Sequence, residues 1–232
     1  MRDSIVYRFD AMLYHCNMID EVRERYQSHF EVVDPPRDEY RSLIRRASTQ
    51  QLFLFDDIVF ASSSLFDYLG SYVATVLHGP KQRYSKWKGA NRLARDGEYA
   101  LRETGSRAIA DSGAGLRIVR ANREWIDSLN DYRADLIHRR AEKPDGQLSH
   151  NLLAERDAFT LTAFAPESFA TRMRVPVGDA LKLPLDAAMH WLVMRTFGTV
   201  VDISLSLLSD VRHLPHPLTT RPFGNLWLPR YT

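Results

Sequence analysis

The feature that most constrains the fold is a run of apolar residues at helical spacing, "QLFLFDDIVFASSSLFDYLGSYVATVL", over residues 51–77. It forms the later part of a predicted helix from Arg37 to Leu77. Its apolar residues occupy more than one side of that helix, which is typical of a helix buried among others. Gly79 and Pro80 follow directly and predict the end of the helix. This helix is therefore expected to lie inside a helical bundle.

Four further stretches have helical periodicity, namely residues 5–31, 98–112, 116–140 and 184–212. Gly113 and Gly115 are expected to close the third of these five helices. Period-two alternation and turn residues after residue 147 predict a short hairpin. The four prolines of residues 213–232 predict an irregular tail. We therefore predict an all-α fold, a helical bundle in a single domain over residues 1–232, with a small β-hairpin-like insertion near 155–178.

Composition excludes several classes of protein. The 232 residues carry a net charge of only +2, so no overall field favours nucleic acid or a membrane. The single cysteine, Cys16, excludes an internal disulfide and a Cys-rich zinc site, and its helical spacing predicts a core position. No signal peptide and no apolar run of the length that spans a membrane is evident. We expect a cytoplasmic protein with no membrane association and no cofactor.

The stretch "YRADLIHRR", residues 132–140, holds an arginine and a histidine five positions apart, Arg133 and His138. Chance alone gives about three Arg-x4–6-His matches in a chain of this composition, and three occur, so the spacing by itself is uninformative. Arg133, however, falls within the apolar face that Ile118, Trp125 and Leu129 define on this helix. A guanidinium in that position needs a carboxylate partner or a polar groove. Either Asp57 or Asp67 could supply the carboxylate.

His138 points elsewhere on the same helix, about 140° around the axis from Arg133 and about 7.5 Å further along it. Two side chains so arranged cannot easily bind one small target unless the helix loosens or a second subunit completes the site. The structural alternative is that Asp135 pairs with Arg139 and that His138 is a helix-end cation.

The motif helix, together with the segments "FASSSLFDYLGSYV" and "YSKWKG" before it, resembles the HEPN superfamily of helical-bundle proteins. The resemblance covers a core of about residues 50–142, to which the helix 184–212 would be added. Many members are metal-independent ribonucleases of toxin–antitoxin, phage-defence and RNA-processing systems. Ala134 departs from the pattern, because a polar residue usually follows the arginine, and this departure could mean reduced activity or a binding-only member.

The resemblance implies a homodimer with a composite site, to which each chain contributes one Arg133 and one His138. His138 would be the acid/base and Arg133 the group that binds phosphate, with no metal. Other residues could hold single-stranded RNA, namely Tyr132, Arg139, Arg140, Lys86, Trp87 and Lys88. The partners expected are a second copy, RNA and an antitoxin or other protein.

Two alternatives remain open. The segment "KQRYSKWKG" could bind RNA, or its tryptophan could anchor in the core while the lysines are solvated. The whole chain could also be a non-catalytic regulatory or interaction module in which Arg133 and His138 are structural. His213 and His216 lie three apart without a nearby carboxylate, which does not indicate a metal site.

Overall fold

The computed structural model describes residues 2–33, 36–79, 86–96, 112–138, 144–151, 158–177 and 182–212. Helix α1 spans Arg2–Val33 and helix α2 spans Arg37–His78. The two long helices are joined by a short connection and pack against each other through Met12 and Ile19 of α1, which are buried. Phe30 near the end of α1 stacks on Tyr40 near the start of α2, with ring centroids 5.2 Å apart. This stacking closes the end of the helix pair.

Helix α2 is the centre of the bundle, as its apolar pattern predicts. Its buried residues lie on several sides of the helix and include Phe55, Ile58, Val59, Leu65, Phe66, Leu69 and Val73. The helix ends at Gly79, whose backbone has φ 90° and whose N–H donates to the Thr75 carbonyl at 2.8 Å. A positive φ of this size favours glycine, so the predicted stop is confirmed.

A second long helical segment lies beside α2. This segment consists of helix α4 (Gly113–Ala121), one π-helical turn (Asn122–Ile126) and helix α5 (Asp127–His138). A separate short helix, α3, spans Lys86–Arg95 and precedes it in the chain. The prediction that Gly113 and Gly115 close a preceding helix is wrong, because both belong to the first turn of α4. The Ser112 side chain accepts a hydrogen bond from the Gly115 N–H at 2.8 Å and caps that turn. The helix predicted at 98–112 lies mostly outside the described residues.

The predicted hairpin is present but begins earlier than expected. Strand β1 (Asp145–Asn151) pairs antiparallel with strand β2 (Ala158–Phe164), and Leu148 lies opposite Leu161. Residues 167–173, which the prediction placed in the hairpin region, form the short helix α6 (Glu167–Met173). Phe169 of α6 is fully buried and contacts the ring of Phe55 at 4.9 Å, so α6 covers one end of the core.

Helix α7 (Leu185–Arg212) completes the fold, at the position that its periodicity predicts. Leu185, Ala188 and Leu192 are buried as expected. In the middle of the helix the inner side is formed by Thr196, which shares a buried hydrogen bond of 2.7 Å with Ser62 of α2. The next residue, Phe197, lies on the outer side and is 48% exposed. The described residues thus form an all-α helical bundle with one small hairpin, and the tail 213–232 lies outside them.

Helix α7 is also the one described helix that is long and apolar enough to cross a membrane by those two criteria alone. Its most apolar window has a mean hydropathy of 1.4, and 22% of that window is buried. The sequence prediction concerned a continuous apolar run, which is a different criterion, so it stays a prediction. Length and composition do not distinguish a membrane span from a helix of a soluble bundle, and the inner side of α7 is hydrogen-bonded to α2.

Candidate site at Arg133

Arg133 lies where α5 crosses α2, and its guanidinium is partly enclosed. Its Nη1 lies 3.9 Å from Asp67 Oδ2 and donates a hydrogen bond of 3.3 Å to Ser63 Oγ. The guanidinium carbon is 6.0 Å from the centroid of the Phe60 ring. The side chains of Arg133 and Asp67 are each 31% exposed. The prediction that a carboxylate of α2 accompanies Arg133 is confirmed, and that carboxylate is Asp67.

The polar groups around Arg133 are linked to one another. The Ser63 hydroxyl accepts from Arg133 and donates to Asn130 Oδ1 at 2.7 Å. Asp67 also serves the start of α3, where its Oδ1 accepts the Trp87 backbone N–H at 3.2 Å. A single carboxylate therefore stabilises both a helix N-terminus and the guanidinium.

Arg133 nevertheless retains unused hydrogen-bonding capacity. A guanidinium has five N–H donors, and an ion pair of 3.9 Å between groups one-third exposed is weak. Its Nε is enclosed, and no acceptor among the described residues lies within hydrogen-bonding distance of it. Arg133 is thus fixed in position by Ser63 and Phe60. Its enclosed Nε is out of reach of an anion from solvent, so an anion would bind through the Nη donors of this partly exposed side chain.

His138 is the last residue of α5 and is exposed. Because α5 is a regular α-helix over residues 127–138, Arg133 and His138 diverge by about 140° around its axis. Asp135 forms an ion pair with Arg172 of α6, and Arg139, its partner in the alternative prediction, lies outside the described residues. One chain therefore brings Arg133 to Asp67 but does not bring it together with His138.

Two residues expected to contact RNA lie in the core instead. The side chain of Tyr132 is 2% exposed and packs against the edge of Phe169, with ring centroids 5.3 Å apart. Trp87 is 1% exposed, contacts Phe66, and donates its indole N–H to Asn122 Oδ1 at 2.9 Å. Neither ring can stack on a base in this arrangement, so these two assignments are corrected. For Trp87 the alternative holds, in which the tryptophan anchors the segment to the core.

The remaining predicted contacts are basic side chains. Lys86 and Lys88 are exposed at the start of α3, close to the helix end that Asp67 caps. The backbone N–H of Lys86 donates to Ser71 Oγ at 3.1 Å, which fixes this start against α2. Arg139 and Arg140 lie outside the described residues. Lys86 and Lys88 therefore lie at the surface of α3, on either side of Trp87, whose backbone N–H donates to Asp67.

The other two Arg-x4–6-His matches have different surroundings. Arg23 forms an ion pair of 2.7 Å with Asp20 one turn away, and His29 is exposed. Arg8 and His15 are both half-buried on α1, and the Arg8 guanidinium lies 5.7 Å from the Tyr7 ring. Only the match at Arg133 places the arginine at a junction of helices with hydroxyl, amide and carboxylate groups around it.

Sequence reasoning missed Phe60, Ser63 and Asn130 as neighbours of Arg133. Phe60, Ser63 and Asp67 are spaced three and four residues apart, so they share one side of α2. That spacing is visible in the sequence and could have identified the polar strip. Asn130 lies three residues before Arg133 on the same helix, which places it on the same face.

Two further groups of residues bear on possible chemistry. Among the described residues, no group of three or more His, Cys, Asp or Glu side chains is close enough to hold a metal ion. Cys16 is half-buried, and burial raises the pKa of its thiol to about 11. A thiol of that kind stays protonated at neutral pH and is a poor nucleophile.

What the site offers is therefore an arginine with spare donors, an adjoining carboxylate, and an exposed histidine one and a half turns further along the helix. Comparison of the chain with protein-family models, with curated proteins and with solved structures found no match.

Proposed function

We propose that this chain is a HEPN-like protein that binds RNA through Arg133 and cleaves it without a metal, with His138 as the acid/base. The observation that carries the proposal is the weak ion pair of the Arg133 guanidinium, 3.9 Å from Asp67, at a partly exposed junction of α2 and α5. A guanidinium with free donors binds phosphate oxygens in a bidentate manner, which is the sequence-independent part of RNA recognition.

The reaction has two proton transfers, one from the attacking 2′-hydroxyl and one to the departing 5′-oxygen. His138 accepts the proton of a ribose 2′-hydroxyl while that oxygen attacks the adjacent phosphorus, and the bond from phosphorus to the 5′-oxygen breaks. The protonated imidazole then gives the proton to the departing 5′-oxygen. Arg133 stabilises the negative charge on the phosphate oxygens as the transition state forms. The products are a 2′,3′-cyclic phosphate and a 5′-hydroxyl.

A single chain does not supply both groups to one phosphate, because the two side chains leave α5 in different directions. The proposal therefore includes a second copy, so that Arg133 of one chain and His138 of the other act on the same nucleotide. Lys86 and Lys88 would contact the RNA backbone beside Arg133.

The test is incubation of labelled single-stranded RNA with the full chain in EDTA, beside the variants His138→Ala and Arg133→Gln. Loss of one acid/base group is expected to lower the cleavage rate by about 100-fold or more. The matched control is the pair Arg23→Gln and His29→Ala, which alters an arginine and a histidine of similar spacing on α1. Cleavage that survives His138→Ala, or that the control pair removes equally, rejects the ribonuclease proposal.

A second variant separates RNA binding from a purely structural role of Arg133. Asp67→Asn keeps an oxygen acceptor for the Trp87 N–H but removes the charge that competes with phosphate. If Arg133 binds RNA, this variant should bind RNA more tightly, by roughly threefold to tenfold in dissociation constant. If Arg133 is structural, the same variant should lower thermal stability and leave RNA binding unchanged.

The second candidate function is a non-catalytic interaction module. The observation that favours it is the exposure of five large apolar side chains along one side of α7. Exposed apolar surfaces of this kind mark sites of association. Under this candidate Arg133 holds α5 to α2 through Asp67, and neither RNA variant changes any activity.

A further inference from the structure

Helix α7 has an outer side that is apolar and exposed. The side chains concerned are between 37% and 63% exposed and recur every three or four residues, namely Met194, Phe197, Val201, Leu205 and Leu208. They lie opposite the buried side that Leu192, Thr196 and Ile203 form. An amphipathic helix of a bundle normally has charged residues on its outer side, so this helix departs from the usual pattern.

The charged residues between the two ends of α7 form hydrogen bonds or ion pairs with the neighbouring helical segment, although Arg195 and Asp202 remain 44% and 50% exposed. Between Asp186 in the first turn and Arg212 in the last, and with histidine taken as neutral, α7 contains three charged residues: Arg195, Asp202 and Asp210. Arg195 pairs with Glu124 at 2.8 Å, and Asp202 pairs with Arg117 at 3.4 Å. The Asp210 carboxylate accepts the Gly113 and Ala114 N–H groups, each at 2.8 Å. Between the first and last turns, the outer side therefore carries no Asp, Glu, Lys or Arg, and it includes the exposed His190 four residues before Met194.

The apolar surface continues onto α1. Phe9 of α1 contacts Phe197 of α7, with ring centroids 5.6 Å apart. Val6 and Leu13, which flank Phe9 by one helical turn, are 54% and 43% exposed. We call this set of residues the outer apolar face: Val6, Phe9 and Leu13 of α1 with Met194, Phe197, Val201, Leu205 and Leu208 of α7.

Gly198 lies in the middle of α7, beside this face. A Cβ atom built at Gly198 would meet no heavy atom within 4 Å, so packing within the chain does not require glycine there. Glycine inside a helix is less stable than alanine, so its presence here suits another role. Absence of a side chain lets a second helix approach the backbone closely at this point.

We propose that the outer apolar face binds the same face of a second copy, with the two α7 helices antiparallel about a two-fold axis near Gly198. This inference does not depend on the RNA proposal. The centre of the face is nearly symmetrical about Gly198, since Met194 lies four residues before it and Val201 three after. The positions that correspond to Leu205 and Leu208 before Gly198 are the exposed residues His190 and Ala187. An isologous interface requires such self-complementarity.

The charges at the two ends of α7 favour the antiparallel arrangement. Asp186 is in the first turn and Arg212 in the last. Antiparallel helices centred on Gly198 bring each acidic end beside the basic end of the other copy, whereas parallel helices would bring like charges together. With histidine taken as neutral, Arg195 and Arg212 are the two basic residues of α7, whereas a helix lying on an anionic lipid surface is rich in lysine and arginine. A second copy therefore fits this face better than a membrane does.

The test is sedimentation of the full chain over a range of concentrations, with two variants of the face. Leu205→Glu places a carboxylate in the contact, and Gly198→Gln places a bulky side chain at the axis while keeping a good helix former. Wild type is expected to sediment as a dimer at micromolar concentration, and each variant should weaken self-association by at least about tenfold. The matched control is Leu116→Glu on α4, whose exposure of 65% is close to the 63% of Leu205.

Circular dichroism and thermal melting of each variant show whether its fold is retained. If Leu205→Glu misfolds, the effect of Gly198→Gln on self-association tests the proposal. A wild-type chain that stays monomeric up to roughly 100 µM overturns the proposal. So does a dimer that both face variants leave intact, or one that Leu116→Glu weakens equally. Binding of the monomer to vesicles of phosphatidylcholine and phosphatidylserine, lost in Leu205→Glu, would assign the face to a lipid surface and would also overturn it.

Discussion

At the scale of single residues, Arg133 combines a weak ion pair with a well-defined position. The distance of 3.9 Å to Asp67 and the partial exposure of both side chains make the Coulomb attraction small. The position comes from neighbours with little charge, the Ser63 hydroxyl and the Phe60 ring. A phosphate can therefore compete for the guanidinium without first breaking a strong internal interaction.

Part of this site could be predicted from the sequence. Helical phase alone places Arg133 toward the core and requires a carboxylate partner or a polar groove, and the carboxylate is supplied by Asp67, one of the two candidates on α2. The same phase places His138 on another side, and the structure agrees. The burial of Trp87 is one of the two alternatives that the sequence leaves open, because aromatic side chains beside basic residues are equally typical of RNA-binding surfaces and of core anchors. Tyr132 lies three residues after Leu129, on the same side of the helix, so its burial could have been predicted from the helical phase.

His78, the last residue of α2, gives a pH-dependent prediction. A helix C-terminus favours a charged histidine, but burial outweighs it here and lowers the pKa of His78 below its ordinary value of 6.5. The unfolded chain therefore binds this proton more readily than the folded chain. The contribution of the neutral His78 side chain to the free energy of unfolding is fully present above pH 6.5 and is lost as the pH falls below 6.5 toward the lowered pKa.

The measurement is the free energy of unfolding by urea at pH 7.5 and at roughly pH 5.5, for wild type and for His78→Gln. Wild type should lose more stability on acidification than His78→Gln does. Replacement of the exposed His29 by glutamine controls for general effects of removing a histidine. An equal loss of stability in wild type and His78→Gln contradicts the prediction.

At the scale of elements, local sequence predicts the bounds of the long helices. It does not predict elements whose conformation depends on residues distant in the chain. The bounds of α2 and α7 follow their apolar periodicity and stop signals to within about one residue. The π-helical turn at Asn122–Ile126 has no such signal. It places Trp125 and Ile126 together in the core, where Trp125 contacts Phe66 and Trp191.

The start of α4 shows the same limit. Glycines usually indicate the end of a helix, yet Gly113 and Gly115 lie in its first turn. The reason is a residue almost one hundred positions later: Asp210 approaches so closely that a Cβ at Gly113 would lie 3.2 Å from its Oδ1. Glycine permits this contact, and the carboxylate then satisfies two backbone N–H groups that the helix leaves without partners.

This cap leads to a prediction for the joint between α4 and α7. Asp210→Asn removes the charge at the helix N-terminus and one of the two acceptors, so the free energy of unfolding should fall by about 1–2 kcal/mol. Asp202→Asn on the same helix is the control, because its ion pair with Arg117 is half exposed and contributes about 0.5 kcal/mol or less. Urea unfolding of both variants measures the difference. Equal losses would mean that the Asp210 cap is no stronger than a surface ion pair.

At the scale of the whole molecule, the Arg133 site and the outer apolar face involve different groups. Arg133 contacts α2, and Asp67 links it to α3, whereas the outer apolar face belongs to α1 and α7. A dimer formed through that face would therefore carry two separate Arg133 sites. A composite site with His138 of another chain requires a further contact at the end of α5.

Two separate sites on one dimer make RNA length the variable that distinguishes the two proposals. An RNA of roughly six nucleotides can occupy one Arg133 site, while one of roughly 40 nucleotides can reach both and binds more tightly through the raised effective concentration. Leu205→Glu should therefore weaken binding of the long RNA by about tenfold or more and leave binding of the short RNA unchanged. Arg133→Gln should weaken binding of both RNAs.

Fluorescence anisotropy with the two labelled RNAs measures these affinities, and Leu116→Glu should match wild type for both. If Leu205→Glu also abolishes binding of the short RNA, the outer apolar face contributes directly to the RNA site, and the separation of the two surfaces is wrong.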